Sequence, residues 1–579
     1  MGALERVVLY ARTARHLRWE QWVYRPVRRI QSRLPARVAA RCGFDGAVAP
    51  ALAAAVQSWG AGDVEARLRR ADDVVSGTFR FLNHEERLPS IAWDRRPVSH
   101  LWSYNLHYFD YALDLAWAWR HTGDARYAAR FVELAESWIR GCPAGRGDGW
   151  EPYPVSLRTV NWVYAVLLFG EGLGARPREA ILRSAAEQLA FLARRLEYHI
   201  LANHLLKNVK ALVVGGAVFT GREAARWRAK GRRLLRRELF EQVLPDGAHY
   251  ERAPMYHAIA LGDLLEVVSL LDAAGEPVAD AARERVRRMA DAFGVLSRPD
   301  GTLHRFNDSA NAGAPDRRWL DALARGAVGQ GIPAPAGVVA LPDAGFHGFV
   351  DPANGARLIV DGGAPGPAYQ PGHSHCGALS FELDLGGRPV VVDSGVHGYD
   401  GDPFREYARS TRAHNTVMIA DREQSEVWGT FRVARRAAVR VVTAEPAGGG
   451  YRFAGACTPY HDRSIVHRRV IEGSGDAWSV TDVVAGGAGA VIRSFLHLHP
   501  DFRVERDGPA LVACAGDVCV RIEPFGIEAL ELRRGSREPV QGWYFEEFGS
   551  AVPAPAVEMR IRENHGRPFG YRIRRVGRR

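Results

Sequence analysis

Lysine is nearly missing from this sequence. Of 77 basic residues, only Lys207, Lys210 and Lys230 are lysines, so the formal charge of +11 is carried by guanidinium groups. Heavy arginine and alanine use is what a GC-rich genome produces, yet the physical consequence stands. Arginine grips carboxylates and sulfates in a bidentate manner that an ammonium cannot copy, and a basic guanidinium surface suits acidic polymers. Nucleic acid fits the charge alone, but no recognition motif accompanies it, so no nucleic-acid partner is expected. Cysteine is also scarce: Cys42, Cys142, Cys376, Cys457, Cys514 and Cys519 are scattered, with no C-x-x-C pair. That excludes a disulfide scaffold and a zinc knuckle. No apolar run approaches the length that crosses a bilayer, so no transmembrane segment is expected. The first thirty residues are broken throughout by arginine and tryptophan and contain no apolar core of a secretory signal.

What is present divides into three parts. At 579 residues the chain exceeds one ordinary core. Residues 1–85 read as a basic, amphipathic helical arm, with Trp19, Trp22 and Tyr24 among arginines. Such an arm either packs on the main domain or lies on an anionic membrane, and the first reading is favoured. Residues 86–330 read as helix after helix: Tyr111 to Trp119, Ala125 to Ile139, Leu157 to Leu168, Ile181 to Leu196, His204 to Val218 and Leu261 to Leu271. Apolar residues recur there at spacings of three and four, with no repeat signature. Many helices of similar length without strands fit an α/α toroid. Gly329 to Gly345 reads as a linker. Residues 345–579 then change to short alternating runs separated by glycine turns, the pattern of an antiparallel β-sandwich. Two domains so joined direct attention to their junction.

The stretch with the most chemistry is Gly372-His373-Ser374-His375-Cys376-Gly377. It precedes an alternating run, Leu379, Phe381, Leu383, Leu385, that turns at Gly386-Gly387 and returns through Val390 to Asp393. This reads as a hairpin, and residues two apart on an extended backbone share a face. His373 and His375 are then either metal ligands, acid/base groups or merely a surface pair. Glu382 and Asp384 alternate with the apolar positions and read as solvent-facing; His497 and His499 read as structural polar positions.

Four stretches of the helical part hold polar side chains that a core would not want. They are Leu101 to Phe109, Tyr153 to Trp162, Ala202 to Asn208 and Asp246 to His257. Each is placed near a helix start, where donors are free and side chains can converge. Taken singly, each is a capped helix end. Taken together with Gly-His-x-His and Arg409-Ser410-Thr411-Arg412-Ala413-His414-Asn415-Thr416, in that order, they resemble the heparinase II/III family of polysaccharide lyases, including its alginate-lyase relatives. The resemblance covers nearly the whole chain from Leu101 onward.

The resemblance implies cleavage of a uronic-acid-containing glycan by β-elimination. In that role Asn203 neutralises the C5 carboxylate, which makes the C5 proton removable. Tyr256 and His373 share acid/base work, His204 assists, and Tyr399 is a second site tyrosine. It further implies a structural Zn²⁺ on His375, Asp393 and His414, a donor set that suits zinc, and no organic cofactor. It implies a periplasmic or cell-envelope location, against the cytoplasm that the missing signal suggests. Where many relatives carry aspartate, this chain has Gly377. Arg158, Arg252, Arg409 and Arg412 are candidates to grip uronates, and Trp102, Tyr104, Trp150 and Trp162 to stack on sugar rings or fill the core. Two other classes stay open: a glycoside hydrolase, for which Glu251 and Asp246 are available acids, and a non-catalytic glycan-binding or exopolysaccharide-assembly protein.

Overall fold

The computed structural model describes residues 2–33, 40–561 and 566–577. Among these, fourteen α-helices precede the first strand of the large sheets, and antiparallel strands dominate beyond it. The fold class is the one expected, a helical domain followed by a β domain.

The helical domain is built from helix pairs. Tyr111–Thr122, Pro152–Phe169, Ala202–Val218 and Pro254–Ala273 contact one another in succession, and each also packs on the helix that follows it. Composition decides which helices go inside. Pro152–Phe169 buries sixteen of its residues and Pro254–Ala273 fourteen, so these are buried nearly all round. Arg222–Gln242 keeps a charged outer face and buries Trp227, Leu234, Leu235 and Leu239 on the other. Pro254–Ala273 is long and apolar enough to cross a membrane, but it is mostly buried in this ring.

Two boundaries differ from the expectation. Helices Ala49–Ser58 and Val64–Val75 pack against the ring and contribute Leu52, Val56, Trp59 and Val74 to its core. They belong to the helical domain because their alanine and leucine faces are continuous with it. The arm proper is the first two helices, α1 (Ala3–Ala14) and α2 (Trp19–Gln31). The connection between domains is also shorter, since strand Gly337–Leu341 already pairs with Phe346–Asp351.

The β domain holds a five-stranded meander from Gly337–Leu341 to Arg388–Val391, an eight-stranded sheet and a four-stranded sheet. Leu358, Phe381 and Leu383 of the meander, Phe453, Ile471 and Val520 of the large sheet, and Leu496 and Val557 of the small one share one core. The hairpin Phe381–Leu385 with Arg388–Val391 forms around Gly386-Gly387, both at positive φ. A single disulfide joins Cys514 to Cys519, directly paired across neighbouring strands.

Glu382 and Asp384 are not solvent-facing. Strand Phe381–Leu385 is buried on both faces, and Arg298 from the helical domain donates to Glu382 at 2.8 Å and to Asp384 at 2.9 Å. Alternation along this strand separates two buried environments, one apolar and one ionic. The segment between helices Asp280–Leu296 and Arg317–Val328 supplies this ion bridge and stitches the two domains together.

Candidate active site

Each half of the site begins with a local backbone requirement. Asn203 stands in the first turn of Ala202–Val218, just after Leu201 (φ 69°) and Ala202 (φ 54°). Glu251 precedes Arg252 (φ 56°), and Asp308 follows Asn307 (φ 58°). Left-handed backbone at non-glycine residues costs about 1–3 kcal/mol each and persists where surroundings hold it. Here it aims side chains from three segments at one point. Tyr256 follows Pro254, which starts its helix at the first position where proline is well tolerated.

The two histidines do not lie on the strand. Residues 372–380 are turn and loop, the strand begins at Phe381, and Leu379 has φ 64°. They nevertheless meet on one carboxylate: His373 Nδ1 lies 2.9 Å from Asp308 Oδ2 and His375 Nε2 lies 2.7 Å from Asp308 Oδ1. Arg405 closes the group from the other side, with Nη2 donating to Asp308 Oδ2 at 3.0 Å and Nη1 to Oδ1. Burial opposes ionisation of Asp308, but Arg405 and the two histidines outweigh it and hold the carboxyl well below its usual range.

With Nδ1 spent on Asp308, His373 turns Nε2 toward Glu251 Oε1, 4.0 Å away. Asn203 Nδ2 sits 3.1 Å from each oxygen of that glutamate. Burial pushes the Glu251 carboxyl up. The ring of Tyr256 stacks on His373 at 3.8 Å, and its hydroxyl is 2.8 Å from that of Tyr399. Burial also pushes both phenols well above their usual value, so each stays protonated at neutral pH. His204 pairs with Glu197 at 3.1 Å, and its ring lies tilted against Tyr153 at 4.5 Å. Although burial opposes it, Glu197 raises the His204 pKa. Asn203, Tyr256, His373 and Tyr399 therefore form one cluster drawn from both domains, with His204 beside it.

Sequence reasoning placed some residues here that the structure puts elsewhere. Arg158 is fully buried, and its guanidinium donates to Gln188, the His107 carbonyl and the Gly149 carbonyl while lying 3.7 Å over Trp138. Arg409 is buried and bonds the carbonyls of Gly429, Ser374 and Arg432. Both are buried away from any glycan and brace loops. Trp102 and Trp162 are core residues at 0% exposure, and Trp150 is buried with its indole on the Cys142 carbonyl. Arg252 is half-buried and donates to the carbonyls of Ala364 and Asp343. Tyr104 is half-buried, and a run of rings leads from it through Tyr108 and Tyr153 to His204. His497 is buried on Asn415 and Gln541, a structural position.

Sequence reasoning missed Asp308, Arg405 and Phe431, and treated Glu251 only as a hydrolase acid. Phe431 is exposed and lies 5.2 Å from Tyr399 and 6.3 Å from His373. The available signal for Asp308 was the polar run Asn307-Asp308-Ser309-Ala310-Asn311 interrupting helical periodicity.

Of the expected zinc set, Asp393 Oδ2 lies 2.8 Å from His414 Nδ1. His375 Nδ1 and His414 Nε2 are buried without a hydrogen-bond partner, on rings whose centroids are 5.3 Å apart. Two orphaned imidazole nitrogens are what a metal would take up. The third donor is not gathered with them: among the described residues no group of three histidine, cysteine or carboxylate side chains surrounds one point. Gly377 packs under His414, where a Cβ would stand 3.3 Å from the ring. The carboxylate that touches both loop histidines comes instead from Asp308.

Residues 61–319 match the family model described as heparinase II/III N-terminus, and residues 333–568 match heparinase II/III-like, C-terminal. A heparin-sulfate lyase of Pedobacter heparinus is 26% identical over 377 residues, 59% of this chain and 56% of that protein. One of Bacteroides thetaiotaomicron is 23% identical over 407 residues, 62% of this chain and 57% of that protein. This chain thus aligns with less than two thirds of the length of the curated relatives it matches. Heparinase III shares the fold with TM-score 0.73 at 19% identity, covering 89% of this chain and 85% of that one. The Streptomyces coelicolor chondroitin AC lyase, solved with chondroitin sulphate, does so with TM-score 0.55 at 12% identity, covering 91% and 83%.

Proposed function

The chain belongs to the heparinase II/III family, and from that premise we propose that it is a polysaccharide lyase cleaving a uronic-acid-containing glycan of the glycosaminoglycan type by β-elimination. The observation that carries the reading is the stack of Tyr256 on His373 at 3.8 Å, with the Tyr399 hydroxyl 2.8 Å from that of Tyr256. In this reaction a base removes the C5 proton, the electron pair forms the C4–C5 double bond, and the C4–O bond breaks as its oxygen takes a proton. A phenol kept protonated by burial is a suitable donor to that oxygen, and His373, oriented by Asp308, is a suitable acceptor from C5. Asn203, fixed by Glu251, and a Glu251 carboxyl raised toward its neutral form are suited to a substrate carboxylate whose charge grows in the transition state.

The hydrolase reading loses support because, of the two acids considered for it, Glu251 is engaged by Asn203 and Asp246 accepts from the Ala248 and Ala344 amides. The test is ultraviolet absorbance during digestion of a panel of heparan-, chondroitin-, hyaluronan- and alginate-type polymers. Absorbance from an unsaturated uronate is expected with at least one. Reducing ends without absorbance would establish a hydrolase, and binding without either signal a glycan-binding protein.

A structural zinc held by His375 and His414, with Asp393 orienting His414 or joining it as ligand, is part of the same proposal. Metal analysis is expected to give about one equivalent per chain, and a chelator to lower the melting temperature. A metal-free protein with an unchanged melt would remove the ion and leave the lyase reading standing.

A further inference from the structure

The first thirty residues carry most of the exposed large apolar surface of the described chain. Of thirteen such exposed side chains, eight lie there: Leu4, Val7, Val8, Tyr10, Trp19, Trp22, Val23 and Ile30. Their spacing is not random. On α2, Trp19, Trp22, Val23, Pro26 and Ile30 fall at i, i+3, i+4, i+7 and i+11, one stripe of a helix. Leu4, Val7, Val8 and Ala11 repeat the pattern on α1.

An amphipathic helix on a globular domain turns its apolar stripe inward. Both of these do the opposite. α2 is held by the other face: Gln21 donates to the Tyr369 and Ile200 carbonyls, Arg28 pairs with Glu151 at 2.6 Å, and Tyr24 packs on Tyr198. α1 is held by the buried Leu9, by Trp428 donating to Thr13 at 3.0 Å, and by Arg12 on Glu426 at 2.8 Å. These anchors reach both domains and leave the apolar stripes in water. Leu4 is 79%, Trp19 67% and Ile30 60% exposed.

Arginines border the stripes. Arg6 and Arg15 on or after α1 and Arg25, Arg29 and Arg33 on or after α2 are exposed, against only two acidic residues, Glu5 and Glu20, in the same stretch. Outward tryptophans flanked by arginine are the composition of a helix lying at a headgroup boundary. Guanidinium groups add attraction for anionic lipid, at a value that falls with salt.

We propose that α1 and α2 form a membrane-docking face that seats the protein on an anionic lipid surface through the Leu4–Val8 and Trp19–Ile30 stripes. The same two helices border the proposed site on their anchored side. Arg28's partner Glu151 is two residues from Tyr153, and Arg432 lies over the Tyr10 ring at 5.5 Å next to exposed Phe431. Docking would therefore bring the proposed site near the lipid surface, with the two helices between them, suited to polymer attached to a membrane.

The test is co-sedimentation of the full chain with vesicles of phosphatidylcholine alone or mixed with phosphatidylglycerol. Binding is expected to the mixed vesicles, weaker by about tenfold or more on pure phosphatidylcholine. Trp22→Glu/Ile30→Glu leaves Gln21, Tyr24 and Arg28 in place, and is expected to abolish binding with an unchanged melt and unchanged turnover of soluble polymer. Arg25→Glu/Arg29→Glu is expected to remove the preference for anionic lipid. No binding to mixed vesicles, or equal binding by both variants, overturns the proposal. So does a concentration-dependent dimer in light scattering that Trp22→Glu disperses while vesicles bind nothing, which would assign the face to a second copy. Turnover is read separately, so failure of the lyase reaction leaves this result interpretable.

Discussion

Asp308 does for the proposed site what no neighbour in sequence suggests. It spans His373, His375 and Arg405 with two oxygens, so it fixes the ring that faces Glu251 while Arg405 keeps the carboxylate charged. Asp308→Asn is expected to lower kcat far more than it changes KM, because it alters a ring's orientation rather than glycan contact. A uniform loss that tracks reduced stability would make Asp308 structural only. Tyr256→Phe removes the hydroxyl alone and keeps the 3.8 Å stack on His373; turnover is expected to fall by about a hundredfold or more with binding retained. Near-native turnover would take Tyr256 out of the reaction. Asn203→Ala is expected to act likewise through lost charge stabilisation.

At the scale of elements, helix starts and the Gly-Gly hairpin were legible because turn chemistry and periodicity are local. Proline at the first turn marks Pro254–Ala273, and Gly386-Gly387 marks the hairpin. The irregular segment between Leu296 and Arg317 was not legible, since its function is to pair with another domain: Arg298 meets Glu382 and Asp384 some eighty residues away. The same reason hid Arg158 and Arg409. An arginine in a motif reads as a hand for substrate, and only three-dimensional neighbours reveal that carbonyls already occupy its donors. The ionic bridge gives a stability prediction. Arg298→Ala takes the ion pair from buried Asp384 and leaves Glu382 with His304 and backbone amides, which costs about 3–5 kcal/mol; a substantially lower denaturation midpoint is expected, and a midpoint within experimental error of the parent would contradict the bridge. At the Asp246-Gly247 turn, a Cβ at Gly247 (φ 88°) would stand 2.1 Å from the Arg288 carbonyl, so Gly247→Ala is expected to destabilise the turn that leads to Glu251 and Tyr256.

For the whole molecule, acid stability follows from its buried histidines. Burial pushes His107 and His497 down to about 3 and His257 to about 4, and these lie in both domains. In the unfolded chain such side chains titrate near ~6.5. As pH falls through that value the unfolded chain takes up protons that the folded chain refuses, so the folded state loses stability, by up to ~1.4 kcal/mol per pH unit for each such histidine. His204 and His414 work in the opposite direction: despite burial, Glu197 and Asp393 raise them. Their contribution is fully present below ~6.5 and fades as pH rises through their raised values. Among the described residues the histidines shifted down outnumber these two, so the downward slope prevails. Burial pushes the Asp361 carboxyl up to about 7, so it too takes up its proton first in the folded chain and works with His204 and His414. Carboxylates held low enter later: despite burial, Arg469 and His467 hold Asp482 to about 2, and its contribution is lost only as pH falls from ~4. The melting temperature is therefore expected to decline between pH 6.5 and 4, ahead of carboxylate protonation, with proton uptake of more than one per molecule on unfolding at pH 5. A melting temperature that stays flat down to pH 4 would show that these rings are solvated, and that the two cores are looser than the packing described.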